Sequence, residues 1–270
     1  MDNTGILTVA QDHPRDRLAL TGASNFRSLG GLPAAGGRRL RPYALMRADR
    51  LAGLDDADWD ALAQAGLATI CDLRSDEERA EHPNRPPAGL GAVEMCFDIR
   101  NDLRADPALA QLLLSNPTAR GAELVMIEIY SRLPRYLGST LATIAGRLLD
   151  DGAPLLVHCS AGKDRTGFVI GMLLHALDVP EPLIRVDYLA SRHWPDAETH
   201  RASLEERLGR FIAPGELDAA VSAVLDVREE YLDSALAALQ AEYGSIPRYL
   251  ETAAGLGPEQ LERLRERLLV

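Results

Sequence analysis

The sequence predicts an α/β core followed by an α-helical appendage. Short apolar runs alternate with helical stretches through the first half, and the chain beyond residue 177 is nearly all helical. No linker separates the two parts, so residues 1–270 are read as one domain, long enough to bury a substantial core.

Residues 31–42, with Pro33, Gly36, Gly37 and Pro42, form a turn-rich connection. Asp55 to Gly66 reads as a helix, opened by aspartates and ended by glycine. The apolar run 67–71 between Gly66 and Asp72 reads as a buried strand. Residues 74–80 suit a short charged helix closed by His82-Pro83, and 92–97 a second strand that ends at Asp98. Residues 101–118 are irregular to weakly helical, and helical periodicity covers 123–133 and 138–149. A third strand spans 154–157, and from Thr166 a strongly apolar helix runs to about Leu177. Leu217, Val221, Val224, Leu225 and Leu232 share one face of a long amphipathic stretch. The last helix starts near Pro258, a residue suited to a first helical turn, with Leu261, Leu264 and Leu268 inward.

The net charge is −11, which repels a phosphate backbone and argues against a nucleic-acid binder. A phosphorylated substrate remains compatible if cations are gathered in one pocket. No apolar run approaches the roughly 18–20 residues that a membrane span needs, and residues 1–10 lack the pattern of a signal peptide. A cytoplasmic location is expected, with export by a signal-independent route left open. Cys71, Cys96 and Cys159 are too few and too scattered for a disulfide framework, and no paired spacing suggests zinc. Cys71 and Cys96 are expected to be buried structural cysteines. Of 29 basic residues, 28 are arginine; the single lysine is Lys163.

That lysine lies in the most informative stretch, residues 158–167, His-Cys-Ser-Ala-Gly-Lys-Asp-Arg-Thr-Gly. Cys159 and Arg165 form a Cys-x5-Arg pattern between a buried strand and a buried helix. A loop wrapped around a helix N-terminus aims several backbone N–H groups at one point, where the helix dipole favours an anion. Residues Ser160, Ala161, Gly162, Lys163, Asp164, Arg165 and Thr166 are therefore the candidate phosphate-binding set, with Arg165 supplying a planar two-point grip. A thiol at such a spot ionises readily and serves as a nucleophile toward phosphorus. Thr166 is placed to donate its hydroxyl to the departing thiolate. A Walker-type loop is excluded, because Asp164 follows Gly162-Lys163 where Ser or Thr is needed.

These residues resemble the phosphate-binding loop of the cysteine-dependent protein tyrosine phosphatases, and the Gly-Lys-Asp-Arg-Thr-Gly portion resembles their bacterial branch. Further matching points are Asn25-Phe26-Arg27, Arg47, Asp72-Leu73-Arg74-Ser75, Asp187-Tyr188-Leu189, Tyr243-Gly244-Ser245 and Tyr249-Leu250. The resemblance runs from about residue 20 to the end. It implies a mostly parallel sheet flanked by helices, and activity on phosphotyrosine, with phosphoserine and phosphothreonine also within reach. It further implies a helical lid at about 191–227, a stretch that would equally suit a fixed cap. The alternative reading is a phosphoinositide phosphatase using the same loop, favoured by Lys163 and Asp164; an inactive phosphate-binding module fits less well, since both Cys159 and Arg165 are present.

The general acid has two candidates. Asp98 ends a strand and would open on the ligand face of a parallel sheet, and the resemblance also points there. Asp164 lies within the loop, where its other role would be to brace Arg165. Trp194-Pro195-Asp196 spells the acid tripeptide of larger tyrosine phosphatases but follows Cys159 in sequence, so it reads as a coincidence at a helix start. Asp72 with Arg74 reads as a buried brace, His158 as a residue that orients the loop, and His193 with His200 as a solvated pair. The chemistry requires neither metal nor cofactor.

Overall fold

The computed structural model describes residues 18–100, 106–193 and 197–270. Five strands, β1 (Arg27–Ser28), β2 (Leu45–Ala48), β3 (Thr69–Asp72), β4 (Val93–Cys96) and β5 (Leu155–His158), form one sheet in the order β1-β2-β5-β3-β4. Only β1 runs antiparallel, against β2. β5 is the centre: Leu155 to His158 pair in parallel with Leu45–Ala48 on one side and with Thr69–Asp72 on the other. The three sequence-read strands are β3, β4 and β5, each within two residues of its expected position.

Alternate residues of the strands enter two cores, the period-two pattern of a sheet covered on both faces. Leu45, Cys71, Leu155 and Val157 enter the larger, helical core. Met46, Ala48, Ile70 and Leu156 enter a smaller one closed by Trp59 and Leu62 of α1 (Asp56–Gln64). Asp55 and Asp58 start α1 with a reciprocal capping box, as the aspartates in sequence imply. Cys96 departs from expectation: it is exposed, because β4 is an edge strand, whereas Cys71 is buried and burial pushes its thiol well up.

After α2 (Asp76–Glu81) and α3 (Pro107–Ser115) comes α4 (Ala119–Leu149), one helix where the sequence suggests two. Pro134 lies inside it. An interior proline costs roughly 3 kcal/mol, yet the buried stripe of Tyr130, Leu133, Leu137, Leu141 and Ile144 runs straight through it. Burying several large side chains at about 1.5–3 kcal/mol each outweighs one lost backbone bond.

The apolar helix α5 (Asp164–Ala176) leaves the end of β5, two residues earlier than its expected start, and is followed by α6 (Glu181–Ala190) and α7 (Ala197–Leu208). The long amphipathic stretch is two helices, α8 (Pro214–Leu225) and α9 (Glu229–Tyr243), because Asp226 leaves helical geometry between them. The chain closes with α10 (Ile246–Ala254) and α11 (Pro258–Leu268), the latter begun by Pro258 as expected. No helix of the described residues is long and apolar enough to cross a membrane.

Candidate active site

The loop between β5 and α5 is held from outside by its own carbonyls. His158 Nδ1 lies 3.4 Å from Cys159 O, and the Arg50 amide donates to Ser160 O at 3.2 Å. Asn25 Nδ2 donates to Ala161 O at 2.8 Å, and an Arg47 guanidinium nitrogen donates to Gly162 O at 2.6 Å. In a trans peptide the C=O and the next N–H point opposite ways. Four carbonyls turned outward therefore turn the N–H groups of Ser160, Ala161, Gly162 and Lys163 inward. Among the described residues these four N–H groups have no protein acceptor.

Gly162 makes the turn possible. Its φ is +67°, and a Cβ there would sit 2.4 Å from the carbonyl oxygen of Ala48. Arg47 is in turn fixed by Asp187 at 2.5 Å, and Arg27 holds the other oxygen of the same carboxylate at 2.7 Å. Burial favours the neutral acid, but the charges of Arg27 and Arg47 hold Asp187 below the usual carboxylate range. This buried cluster uses three of the matching sequence points, and none of them touches the cavity.

The loop faces a cavity of about 200 Å³ lined by Cys159, Ser160, Ala161, Lys163, Asp164 and Arg165. Cys159 is 2% exposed. Met126, Ile129 and Leu133 of α4, Leu204 of α7, and Val224 and Leu225 of α8 form an apolar wall opposite. Thr166 Oγ1 is buried without a hydrogen-bond partner.

Arg165 is oriented by Glu78, a residue that sequence reasoning missed. The two terminal guanidinium nitrogens meet the two Glu78 oxygens at 2.7 and 2.8 Å, and one also reaches Leu73 O at 3.1 Å. Among the described residues the Arg165 Nε–H has no acceptor, so one edge of the fork remains for an oxyanion. Burial pulls against ionisation of both partners, but their mutual hydrogen bonds win: Arg165 is raised and Glu78 is held far below its ordinary value. Glu78 also accepts from the Ser160 hydroxyl at 2.5 Å and from the Ser75 amide at 2.8 Å. The last contact is half of a capping box that opens α2, so the Ser75-x-x-Glu78 spacing was the available signal.

The two aspartates part company. Asp164 lines the cavity, and its Oδ1 accepts from the Tyr130 hydroxyl at 2.5 Å, which itself accepts from Tyr188 at 2.9 Å. Burial, reinforced by the charge of Asp164, raises Tyr130 well above an ordinary phenol, so it stays a donor. Asp98 is not among the cavity residues. It lies beyond the edge strand β4, accepts from the Asp76 amide at 3.0 Å and pairs with Arg100 at 2.9 Å. The Asp76 bond, followed by Arg100, lowers its pKa, the wrong direction for a proton donor. The sheet order explains this: β3, not β4, adjoins β5, the strand that leads into Cys159.

Lys163 also differs from expectation. Its ammonium donates to Val224 O at 2.6 Å and Asp226 O at 3.1 Å, satisfying the C-terminal end of α8. The Asp72–Arg74 brace is present and buried, with contacts of 2.6–3.1 Å. His158 is fully buried, and burial pulls its pKa down to about 4 despite Asp72 3.6 Å away. Asn84 Nδ2 lies 3.2 Å from His158 Nε2, as suits a neutral ring with its proton on Nδ1. His200 lines the cavity, while the side chain of His193 and Trp194-Pro195-Asp196 lie outside the described residues.

A cysteine under an inward-facing ring of amides, with an arginine fork beside it, forms a pocket that suits a phosphate ester. The chain belongs to the tyrosine phosphatase family, whose family model matches residues 18–270. It is 34% identical over 248 residues to a protein of Cupriavidus necator that carries a tyrosine-protein phosphatase designation, covering 92% of this chain and 87% of that one. It is also 34% identical over 275 residues to the triple specificity protein phosphatase PtpB of Mycobacterium tuberculosis, covering 93% and 98%. A tyrosine-protein phosphatase of Nostoc commune is 31% identical over 242 residues, covering 87% and 78%.

Two stability outcomes are expected. Asp187→Asn leaves two buried guanidinium groups without their counter-charge and should cost about 3–5 kcal/mol in denaturant unfolding; a loss under 1 kcal/mol would show the cluster to be dispensable. For His158, the unfolded chain takes up a proton near pH 6.5 and the folded chain only near pH 4. Its contribution is therefore full above pH 6.5 and lost as pH falls to 4, on the order of 3 kcal/mol. His158→Gln should flatten the stability–pH curve in that window.

Proposed function

We propose that this chain hydrolyses phosphotyrosine in proteins through a cysteinyl-phosphate. The observation that carries the reading is the outward pinning of the four carbonyls 159–162, which aims amides at a point beside Cys159. The Cys159 thiolate attacks phosphorus, and the inward N–H groups and the free edge of Arg165 take the three non-bridging oxygens. The bond from phosphorus to the tyrosyl oxygen breaks as that oxygen receives a proton. Water then cleaves the S–P bond, returning the thiolate and releasing phosphate, with the Thr166 hydroxyl available to the departing sulfur.

Asp164 is the acid in this reading, in place of Asp98. Tyr130 holds Oδ1, which leaves Oδ2 for the leaving oxygen and later for the attacking water. The apolar wall from α4, α7 and α8 suits an aryl ring. Helices α7 and α8 roof the cavity within the 191–227 stretch, and we read them as the lid that admits the substrate. Lys163 is committed to the end of α8, so the phosphoinositide alternative loses the cation that favoured it.

Cys159→Ser should abolish turnover of p-nitrophenyl phosphate while phosphate binding persists, because a serine hydroxyl ionises far less readily; retained turnover would sink the mechanism. A tyrosyl oxygen, with a pKa near about 10, needs a proton to leave, whereas nitrophenolate does not. Asp164→Asn should therefore slow a phosphotyrosyl peptide by about 10²-fold or more, and p-nitrophenyl phosphate far less. Tyr130→Phe should show a milder version of the same pattern and add nothing to Asp164→Asn in the double variant. If Asp98→Asn gives the leaving-group-dependent loss and Asp164→Asn does not, the acid has been misassigned.

A further inference from the structure

The cavity does not end at the loop. Past Ser160 it continues into a second one of about 350 Å³, and Glu78, Ser160, His200, Ser203 and Arg207 belong to both. Arg50, Glu81 and His82 complete the second wall. Among the described residues no hydrocarbon side chain lines it, in contrast to the apolar face of the first cavity. One compartment therefore suits an aryl group and the adjoining one a polar, charged group.

The charge balance of the second wall selects the sign. Glu78 is neutralised by Arg165, and Glu81 is exposed. Arg50 and Arg207 face this space without an ion-pair partner among the described residues, and Arg207 holds only the Ser203 hydroxyl, at 2.6 Å. In a chain of net charge −11, most guanidinium groups on this side of the molecule are taken by carboxylates: Arg74 by Asp72, Arg79 by Asp76 and Arg165 by Glu78. Among the described residues, Arg50 and Arg207 share one polar cavity with no carboxylate paired to either. Arg50 is also fixed close to the chemistry, because its backbone N–H binds the carbonyl of Ser160, the residue after the nucleophile.

Resting on the phosphatase reading, we propose that this second cavity is a subsite for a carboxylate side chain one or two residues from the phosphotyrosine, with Arg50 and Arg207 as its specificity-determining residues. Successive Cα atoms lie about 3.8 Å apart, so a flanking Asp or Glu is within reach while the phosphate occupies the loop. A carboxylate needs only the guanidinium forks present there. The same forks would also hold a phosphate; the carboxylate is the anionic group that a protein substrate carries beside its phosphotyrosine, and the binding test separates the two.

Binding separates this subsite from the chemistry. In the Cys159→Ser protein, a phosphotyrosyl peptide with flanking glutamates should bind about tenfold more tightly than its glutamine counterpart, and added salt should erase the difference. Arg50→Glu should remove that preference while leaving the glutamine peptide within twofold. Arg207→Gln should reduce the preference too. Equal affinity for the two peptides would overturn the subsite, as would equal loss of both on Arg50→Glu. Arg50-dependent binding confined to a soluble phosphoinositide with a second phosphate would also overturn it. Failure of the intact enzyme to turn over any phosphotyrosyl substrate would instead sink the phosphatase reading, and the peptide affinities would still decide the subsite.

Discussion

The direction of four carbonyl groups governs this molecule. Left to itself, a loop of small residues ahead of a helix would expose N–H and C=O alike, and the carbonyls would repel an anion. Here the carbonyls from Cys159 to Gly162 are each engaged from outside, by His158, Arg50, Asn25 and Arg47. Much of the surrounding fold serves that arrangement. β2 and β3 flank β5 so that the segments leaving them reach the loop, and α6 places Asp187 where it can hold Arg47. Buried ion clusters are weak sources of stability compared with apolar packing. The Arg27–Arg47–Asp187 cluster is better understood as fixing geometry, since an aliphatic replacement could fill its volume but could not hold a carbonyl.

The same logic applies to Arg165. A largely buried, unpaired guanidinium would be costly and would swing among rotamers. Glu78 removes both problems, and as the capping residue of α2 it is itself held rigid. The loop, the arginine and the helix that orients it are therefore joined through one carboxylate. Asp164 is held from another side: Tyr130 of α4 donates to it and Tyr188 donates to Tyr130, so α6 serves both ends of the loop, through Tyr188 here and through Asp187 at Arg47.

Much of this was legible in the sequence, for identifiable reasons. Strands β3 and β5 were visible because they are buried on both faces and so read as unbroken apolar runs. β2 was not, because Arg47 interrupts its apolar run, and nothing local says that this charge is buried against Asp187. The Cys-x5-Arg loop was legible because its residues are contiguous. Glu78, Tyr130 and the apolar wall were not, because they arrive from distant segments. The preference for Asp98 rested on chain order, which made β4 the strand before β5, whereas spatial order puts β3 between them and Asp98 is not among the cavity residues. Lys163 was rightly singled out as unusual, but its partners are main-chain carbonyls that no side-chain pattern can announce.

The burial of Lys163 has a consequence for the whole surface. It is the only lysine in 270 residues and is 4% exposed, so every exposed basic side chain of the described residues is arginine or histidine. Guanidinium groups do not form isopeptide bonds and react poorly with acylating agents at neutral pH. The folded protein thus offers no lysine amine for acylation, for ubiquitin-like tagging or for amine-directed cross-linking. Reaction at Lys163 would require its bonds to Val224 and Asp226 to break, so the labelling rate of that one amine reports how often the end of α8 leaves the loop.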